Sequence, residues 1–339
     1  MQEGFSMTHA HVAIASLGGT ITMTGQGGGV TPTLGADELI AAVPELARVA
    51  TIEATTLASL PGASLSFDDV LAALRWADDA VAGGASGAVL IQGTDTLPET
   101  AYLLDLHWRR PEPLVVTGAM RPAGVPGADG PANLLAAVRV AARCTSVGAV
   151  VVMNDEVHAA ARVRKSHAFS LAAFTSPDFG PLGVLVEGSP VLGHPPHRWP
   201  ALAPPPPGLE HPEVAVVDAC LGDDGRLLRL ARSGGYRGAV VSAFGAGHVP
   251  FALADAVGDA LDGDMAVVFA SRTGAGTTLN GTYGFAGSER DLIGRGAVPA
   301  GWLDPHKARI LLWALLAARA SPERIRDEFA RRGGPPVPG

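Results

Sequence analysis

Short, mostly apolar runs recur along this 339-residue chain, with amphipathic stretches of helical period between them. In the first half the runs are residues 12–17, 49–57, 87–91, 114–117 and 149–153. A strand buried on both faces reads as a continuous apolar run rather than an alternation. The rhythm therefore points to a parallel sheet covered by helices on both sides. Residues 67–81 put Val70, Leu74, Ala77 and Val81 on one stripe, with Gly83-Gly84 as a stop signal. Residues 98–109 open with Pro98 in a first-turn position beside Glu99. Residues 129–143 carry Leu134, Leu135, Val138 and Ala142 at helical spacing.

The rhythm breaks at residues 194–212, which hold Pro195-Pro196, Pro200 and four consecutive prolines from 204 to 207. Such density favours an extended, semi-rigid connector. It then resumes, with strands expected at 214–217, 239–241 and 266–269 and helices at 251–261, 307–318 and 322–330. The expectation is α/β throughout. Residues 1–196 form a larger N-terminal parallel-sheet domain, flavodoxin-like or Rossmann-like. Residues 197–212 form a linker, and 213–339 a smaller C-terminal α/β domain. The stretch 307–318 is apolar almost all round, which calls for burial in the domain or in a subunit contact.

An apolar fraction of 47% supports well-filled cores, and a net charge of −8 with no Lys/Arg run argues against nucleic acid or an anionic membrane as partner. Cys144 and Cys220 form no CxxC pair and no disulfide framework, so both are expected reduced and buried. The N-terminus shows no signal-peptide pattern, and the longest apolar stretch is far below the roughly 20 residues that span a bilayer. A cytoplasmic protein is expected. Ten histidines notwithstanding, no HExxH or paired Cys/His spacing suggests a metal enzyme.

Two threonines stand at the mouths of strands. Thr20 closes Leu17-Gly18-Gly19-Thr20, and Thr94 lies in Gln92-Gly93-Thr94-Asp95-Thr96. Open α/β sheets bind ligands at the carboxyl ends of their strands. Two hydroxyls there, one beside a carboxylate, suggest nucleophilic chemistry. A threonine hydroxyl needs an adjacent base, and Lys165, following the run 149–153, is the strongest remote candidate. A desolvated lysine is a workable base, whereas a neighbouring carboxylate favours the ammonium. Blander readings exist for each residue. Gly18-Gly19-Thr20 also suits a simple turn, Thr96 suits an N-cap for the helix at Pro98, and Lys165 between arginines suits a solvated charge.

Taken together, the motifs resemble a family. Leu17-Gly18-Gly19-Thr20-Ile21, then Gln92-Gly93-Thr94-Asp95-Thr96 with Glu99-Thr100-Ala101, resemble the two signatures of bacterial-type L-asparaginases and glutaminase-asparaginases. Thr117-Gly118-Ala119-Met120-Arg121-Pro122, Ala128-Asp129-Gly130-Pro131 with Asn133, and Val152-Met153-Asn154-Asp155 with Lys165 follow in order. Gly180-Pro181-Leu182-Gly183 and Lys307-Ala308-Arg309 complete the series.

The resemblance implies two α/β domains with a left-handed crossover and hydrolysis of the asparagine side-chain amide without metal or organic cofactor. It implies Thr20 as nucleophile and Thr94, Asp95 and Lys165 as a second relay, Asp95 also facing the substrate α-ammonium. Backbone N–H groups near Thr20 and Thr94 would hold the oxyanion. It further implies a homo-oligomer, dimer or tetramer, whose active sites borrow residues from a neighbouring C-terminal domain.

Three positions depart from the family pattern. The serine expected to hold the substrate carboxylate is Ala63 here, with Ser64 one place on. The lid at residues 24–30 is glycine-rich and lacks tyrosine, leaving Thr22 or Thr24 as substitutes for the phenol. The neighbour-donated asparagine reads as His248 in Gly245-Ala246-Gly247-His248. The leading expectation is an asparaginase. The alternatives are the same chemistry on glutamine, a D-amino acid amide or an amide lacking a free α-carboxylate, and a non-catalytic ligand-binding member. A nucleotide-binding Rossmann domain fits poorly, because the GxGxxG spacing is missing.

Overall fold

A computed structural model describes residues 10–24, 31–194 and 197–334. The glycine-rich run of the expected lid, Pro195-Pro196 and the extreme tail lie outside the described residues. The chain divides into two compact units, residues 1–201 and 202–339.

The first unit is built on an eight-stranded mixed sheet. Its strands are β1 (Ala10–Gly18), β2 (Ala50–Leu60), β3 (Gly87–Ile91), β4 (Leu114–Thr117), β5 (Ala149–Met153), β6 (Glu156–Ala159), β7 (Gly183–Val186) and β8 (Ser189–Leu192). They lie in the order β8-β7-β6-β5-β4-β3-β1-β2. The five from β1 to β5 are mutually parallel, and β6, β7 and β8 extend the sheet antiparallel. The parallel part thus runs 2-1-3-4-5. Connections leave β1 towards one side and return to β3 on the other, so the topological switch point lies between β1 and β3.

The antiparallel edge goes beyond the parallel rhythm of the sequence. Its strands are four residues each, too short for a pattern. The β7–β8 turn does carry a local signal: Glu187 and Gly188 both have positive φ, 48° and 72°, as a two-residue hairpin of the type that matches strand twist requires.

Three longer helices cover the parallel strands, α1 (Phe67–Ala82), α2 (Leu97–His107) and α3 (Gly130–Arg143), with a short one at Ala36–Ala41. α1 starts where it does because Ser66 and Asp69 form a reciprocal capping box, the Asp69 carboxylate accepting from the Ser66 N–H at 2.8 Å. Its predicted stripe, Val70, Leu74, Ala77 and Val81, is buried. One core cluster joins Val12 and Ile14 of β1, Val89 and Ile91 of β3, Val115 of β4, and Leu134 and Val138 of α3. The intervening Ala13, Ala15, Ala88 and Leu90 are buried as well, so the central strands are covered on both faces.

The second unit carries a four-stranded parallel sheet of β9 (Val214–Asp218), β10 (Gly238–Ala243), β11 (Ala266–Ser271) and β12 (Val298–Pro299), in that order. Helices α4 (Phe251–Asp262), α5 (Pro305–Ala317) and α6 (Pro322–Gly333) accompany it, with shorter helices at Arg226–Ser233 and Glu289–Arg295. α5 is buried within its own unit, close enough to β10 that a methyl on Gly238 would meet Leu312 Cδ2 at 2.9 Å. Lys307 goes inside with it, its Nζ 3.0 Å from Asp304 Oδ2. Asp304 also caps the helix by accepting from the His306 and Lys307 N–H groups.

The cysteine expectation needs correction, since Cys144 is half-buried and Cys220 exposed. Cys220 follows the carboxyl end of β9, where the chain turns outward. Among the described residues no helix is long and apolar enough to cross a membrane.

Ile14 lies at the centre of the larger core, fully buried. Ile14→Ala is expected to lower unfolding stability by about 2–5 kcal/mol. Val186→Ala, at a half-exposed position on the edge hairpin, is expected to cost about 1 kcal/mol or less. Urea denaturation of the two variants checks the difference, and equal losses would place Ile14 outside the core that holds the sheet.

Candidate active site

The site is built on the switch point. β1 and β3 are direct neighbours, with Ser16 opposite Ile91, so the segments leaving both strands emerge side by side. β1 ends at Gly18-Gly19, whose φ values are 101° and 92°. A side chain rarely adopts that backbone, and glycine permits it. A short 3-10 turn, Thr20–Thr22, follows at once and puts Thr20, partly buried, at the rim. The turn is tied by the Thr22 N–H and hydroxyl, both donating to Gly19 O, at 2.9 and 2.7 Å. Thr22 is fully buried and committed to that bond, so it does not replace a lid phenol. The Thr24 side chain lies outside the described residues.

Three glycines then bring three segments into backbone contact. A methyl on Gly19 would overlap the backbone of Gly93, which follows β3. A methyl on Gly93 would come within 2.7 Å of the N and Cα of Gly62, which follows β2. A methyl on Gly62 would sit 2.9 Å from Gly93 Cα. The contact packs Thr20, Thr94 and the turn Gly62–Ser64 around one point.

Thr94 is 5% exposed, and Gly118, after β4, packs against its methyl group. Thr96 occupies the N-cap position of α2, but its hydroxyl does not cap the helix; it donates to Gly62 O at 2.8 Å. The expected cap is thus a strut between two site segments. Behind Thr94, Asn133 of α3 clamps two strand ends. Its Nδ2 donates to Gly118 O at 3.0 Å and its Oδ1 accepts from the Asn154 N–H at 2.9 Å.

Lys165 arrives from far along the chain. It lies in a two-residue strand, Arg164–Lys165, paired antiparallel with Phe174–Thr175. Its Nζ donates to Thr94 Oγ1 at 2.9 Å and to Asp95 Oδ1 at 2.6 Å. The lysine side chain is 16% exposed and that of Asp95 67%. The ammonium is therefore largely shielded, whereas the carboxylate keeps open surface for a ligand. Thr94, Asp95 and Lys165 form one hydrogen-bonded cluster, and Thr20 stands on the turn that leaves the neighbouring strand β1.

The remaining expected residues lie on two other segments of the chain. Ala63 and Ser64 are exposed on the turn beside Gly93. His248 belongs to the second unit, where its Nε2 is 3.2 Å from Glu289 Oε2 and its ring packs edge-on against Tyr283 and Phe285. Glu289 has no exposed surface and accepts the N–H groups of Thr282 and Tyr283, both at 2.7 Å. Burial pushes its pKa up, but the backbone N–H donors, led by that of Tyr283, and His248 outweigh this and hold it below the usual value. His248 is thus an oriented imidazole framed by two half-exposed aromatic rings, not a free loop side chain. Among the described residues no group of three or more His, Cys, Asp and Glu is placed to hold a metal ion.

Sequence reasoning overlooked His158. It is fully buried on β6, with Nδ1 3.0 Å from Ser176 Oγ, and burial lowers its pKa to about 4. A single histidine in the short strand Glu156–Ala159 gave no signal of its own.

Residues 11–197 match the family model described as Asparaginase, N-terminal, and residues 213–329 match that described as Glutaminase/Asparaginase C-terminal domain. The chain is 33% identical over 335 residues to the probable periplasmic L-asparaginase of Haemophilus influenzae, covering 94% of this chain and 92% of that one. It is 31% identical over 340 residues to L-asparaginase 2 of Escherichia coli strain K12, covering 96% and 94%. The crystal structure of a probable cytoplasmic L-asparaginase from Campylobacter jejuni matches with a TM-score of 0.85 at 31% identity, over 94% of this chain and 99% of that one. With both halves matched in order and relatives aligned over nearly their whole length, the chain belongs to the asparaginase family.

Proposed function

We propose that this protein hydrolyses L-asparagine to L-aspartate and ammonia through a threonine nucleophile. The observation that carries the reading is the Lys165 ammonium, donated by a distant hairpin and seated between Thr94 Oγ1 and Asp95 Oδ1 at the switch point. The family membership supplies the reaction class. Thr20 Oγ attacks the side-chain amide carbon, and the oxyanion is held by backbone N–H groups at the Gly19–Gly93 contact. The amide nitrogen leaves as ammonia after taking up the proton given up by the Thr20 hydroxyl, leaving an ester between Thr20 and the aspartyl side chain. Water then attacks the ester, its proton relayed through the Thr94 hydroxyl, which Lys165 holds, to the departing Thr20 oxygen, so that aspartate and the Thr20 hydroxyl are released. Asp95 orients Lys165 with one oxygen and offers its exposed surface to the substrate α-ammonium. No step calls for a metal or organic cofactor.

A second substrate reading has one observation in its favour. Position 63 is alanine, and Ser64, the nearby hydroxyl, sits on an exposed turn. Glutamine, a D-amino acid amide or an amide without a free α-carboxylate would tolerate that. Ammonia release from a panel of amides, asparagine included, separates the readings. The chain further acts as a homo-oligomer, dimer or tetramer, in the cytoplasm. The half-exposed aromatic frame around His248 suits a subunit contact, and two free thiols suit a reducing compartment. Light scattering on the purified chain tests the assembly.

Three substitutions test the chemistry. Thr20→Ala is expected to abolish ammonia release without changing the thermal melt; normal turnover by this variant removes Thr20 from the mechanism. Lys165→Met is expected to cut kcat by about 10²-fold or more, the scale of positioned acid–base groups. A fall under about threefold demotes Lys165 to a structural charge. Gly93→Ala forces the Gly62 and Gly93 segments apart, and displacement of a catalytic group by about 1 Å costs on the order of 10²-fold. Wild-type kcat in Gly93→Ala would show that the close glycine contact is not needed for alignment.

A further inference from the structure

We propose that His158 and Ser176 are positioning residues for Lys165: their buried hydrogen bond fastens the lysine's hairpin to the main sheet. The inference rests on the reading above that Lys165 serves catalysis. Lys165 belongs to a hairpin with very little regular structure. Arg164–Lys165 pairs with Phe174–Thr175, two residues against two. Beyond that ladder, the Ser166 N–H and hydroxyl both donate to Ala173 O, at 2.7 and 3.0 Å. A two-residue ladder is a weak support for an ammonium that must stay within 2.9 Å of Thr94 Oγ1.

The sheet supplies the missing support. Ser176 directly follows Thr175, and its hydroxyl meets Nδ1 of His158 at 3.0 Å. Both side chains are buried, 0% and 6% exposed. His158 is fixed on β6, opposite Val151 of β5. The chain therefore runs from sheet to His158, to Ser176, across the Phe174–Lys165 pair, and to the ammonium.

Burial keeps the imidazole neutral through the ordinary working range, with a pKa near 4. Its Nε2 lies 3.2 Å from Glu156 Oε2 but without hydrogen-bond alignment, so the Ser176 contact is the bond that orients the ring. The buried ring hydrogen-bonds at Nδ1, and that position is what the test isolates.

An asparagine at 158 places its amide near Nδ1, whereas a glutamine reaches on towards Nε2. His158→Asn is expected to keep kcat within about threefold of wild type. Ser176→Ala and His158→Gln are expected to lower kcat about tenfold or more with KM within about threefold. Hydrogen exchange across residues 164–176 should quicken in these two variants and not in His158→Asn. The double variant Ser176→Ala/His158→Gln should fall no further than its worse single, because both remove one shared interaction.

Unchanged kcat in Ser176→Ala or His158→Gln overturns the proposal, and so does equal loss in His158→Asn and His158→Gln. Faster exchange with unchanged kcat would make the bond merely structural and overturns it too. Wild-type turnover in Lys165→Met instead defeats the catalytic reading of the lysine. The exchange measurement then still decides whether His158 and Ser176 hold the hairpin.

Discussion

The contact among Gly19, Gly93 and Gly62 is the constraint on which the site depends. Their backbones approach to distances that no Cβ permits. Each glycine follows a different parallel strand, and all three strands are adjacent at the switch point. Sheet order alone brings the strand ends within reach of one another. The absence of three side chains removes the last few ångströms between the segments that carry Thr20 and Thr94. Backbone packing of this kind leaves little freedom, and a reaction through two hydroxyls needs their relative position fixed to within a fraction of an ångström.

The lysine is held on different terms. Its partner carboxylate is largely exposed, and ion pairs in that setting add about 1 kcal/mol or less to stability. The Lys165–Asp95 bond is therefore better understood as orientation than as glue. The rigidity comes from behind, where Asn133 ties the ends of β4 and β5 and His158 ties the hairpin to β6. Buried neutral hydrogen bonds serve this purpose without the desolvation penalty of a buried ion pair.

The parallel core was legible because its strands are continuous apolar runs. The expected spans 87–91, 114–117 and 149–153 coincide with β3, β4 and β5. The antiparallel extension was not, since β6 to β8 are four residues each and their pairing is set by turns and by long-range register. Thr20, Thr94 and Asp95 declared themselves by following legible strands. Lys165 did not follow one directly. It sits on a two-residue strand whose partner lies nine residues on, so its place after the run 149–153 marked it only as a remote candidate, and the ordered series of motifs strengthened that reading. Thr96 shows the opposite failure. Its local sequence fits a helix cap, yet a carbonyl from the neighbouring strand end, Gly62 O, offers its hydroxyl a tertiary partner instead. His158 gave no pattern at all, because a buried hydrogen bond between residues eighteen apart leaves no trace in local composition.

The same division explains why this chain specifies a reaction more tightly than a substrate. The groups suited to bond chemistry are anchored by the sheet, by glycine contacts or by buried hydrogen bonds, and each has little room to move. The positions that depart from the family pattern are held on other terms. Ala63 and Ser64 stand on an exposed turn, and His248 belongs to the second unit, where Glu289 and two aromatic rings hold it. Changing a residue on an exposed turn costs the fold little, so substrate preference can shift while the threonines and the lysine stay in place. His248 is the exception, because Glu289, itself satisfied by two backbone N–H groups, fixes its ring. The edge-on rings of Tyr283 and Phe285 complete that support, so the imidazole has as little room to move as the groups anchored by the sheet.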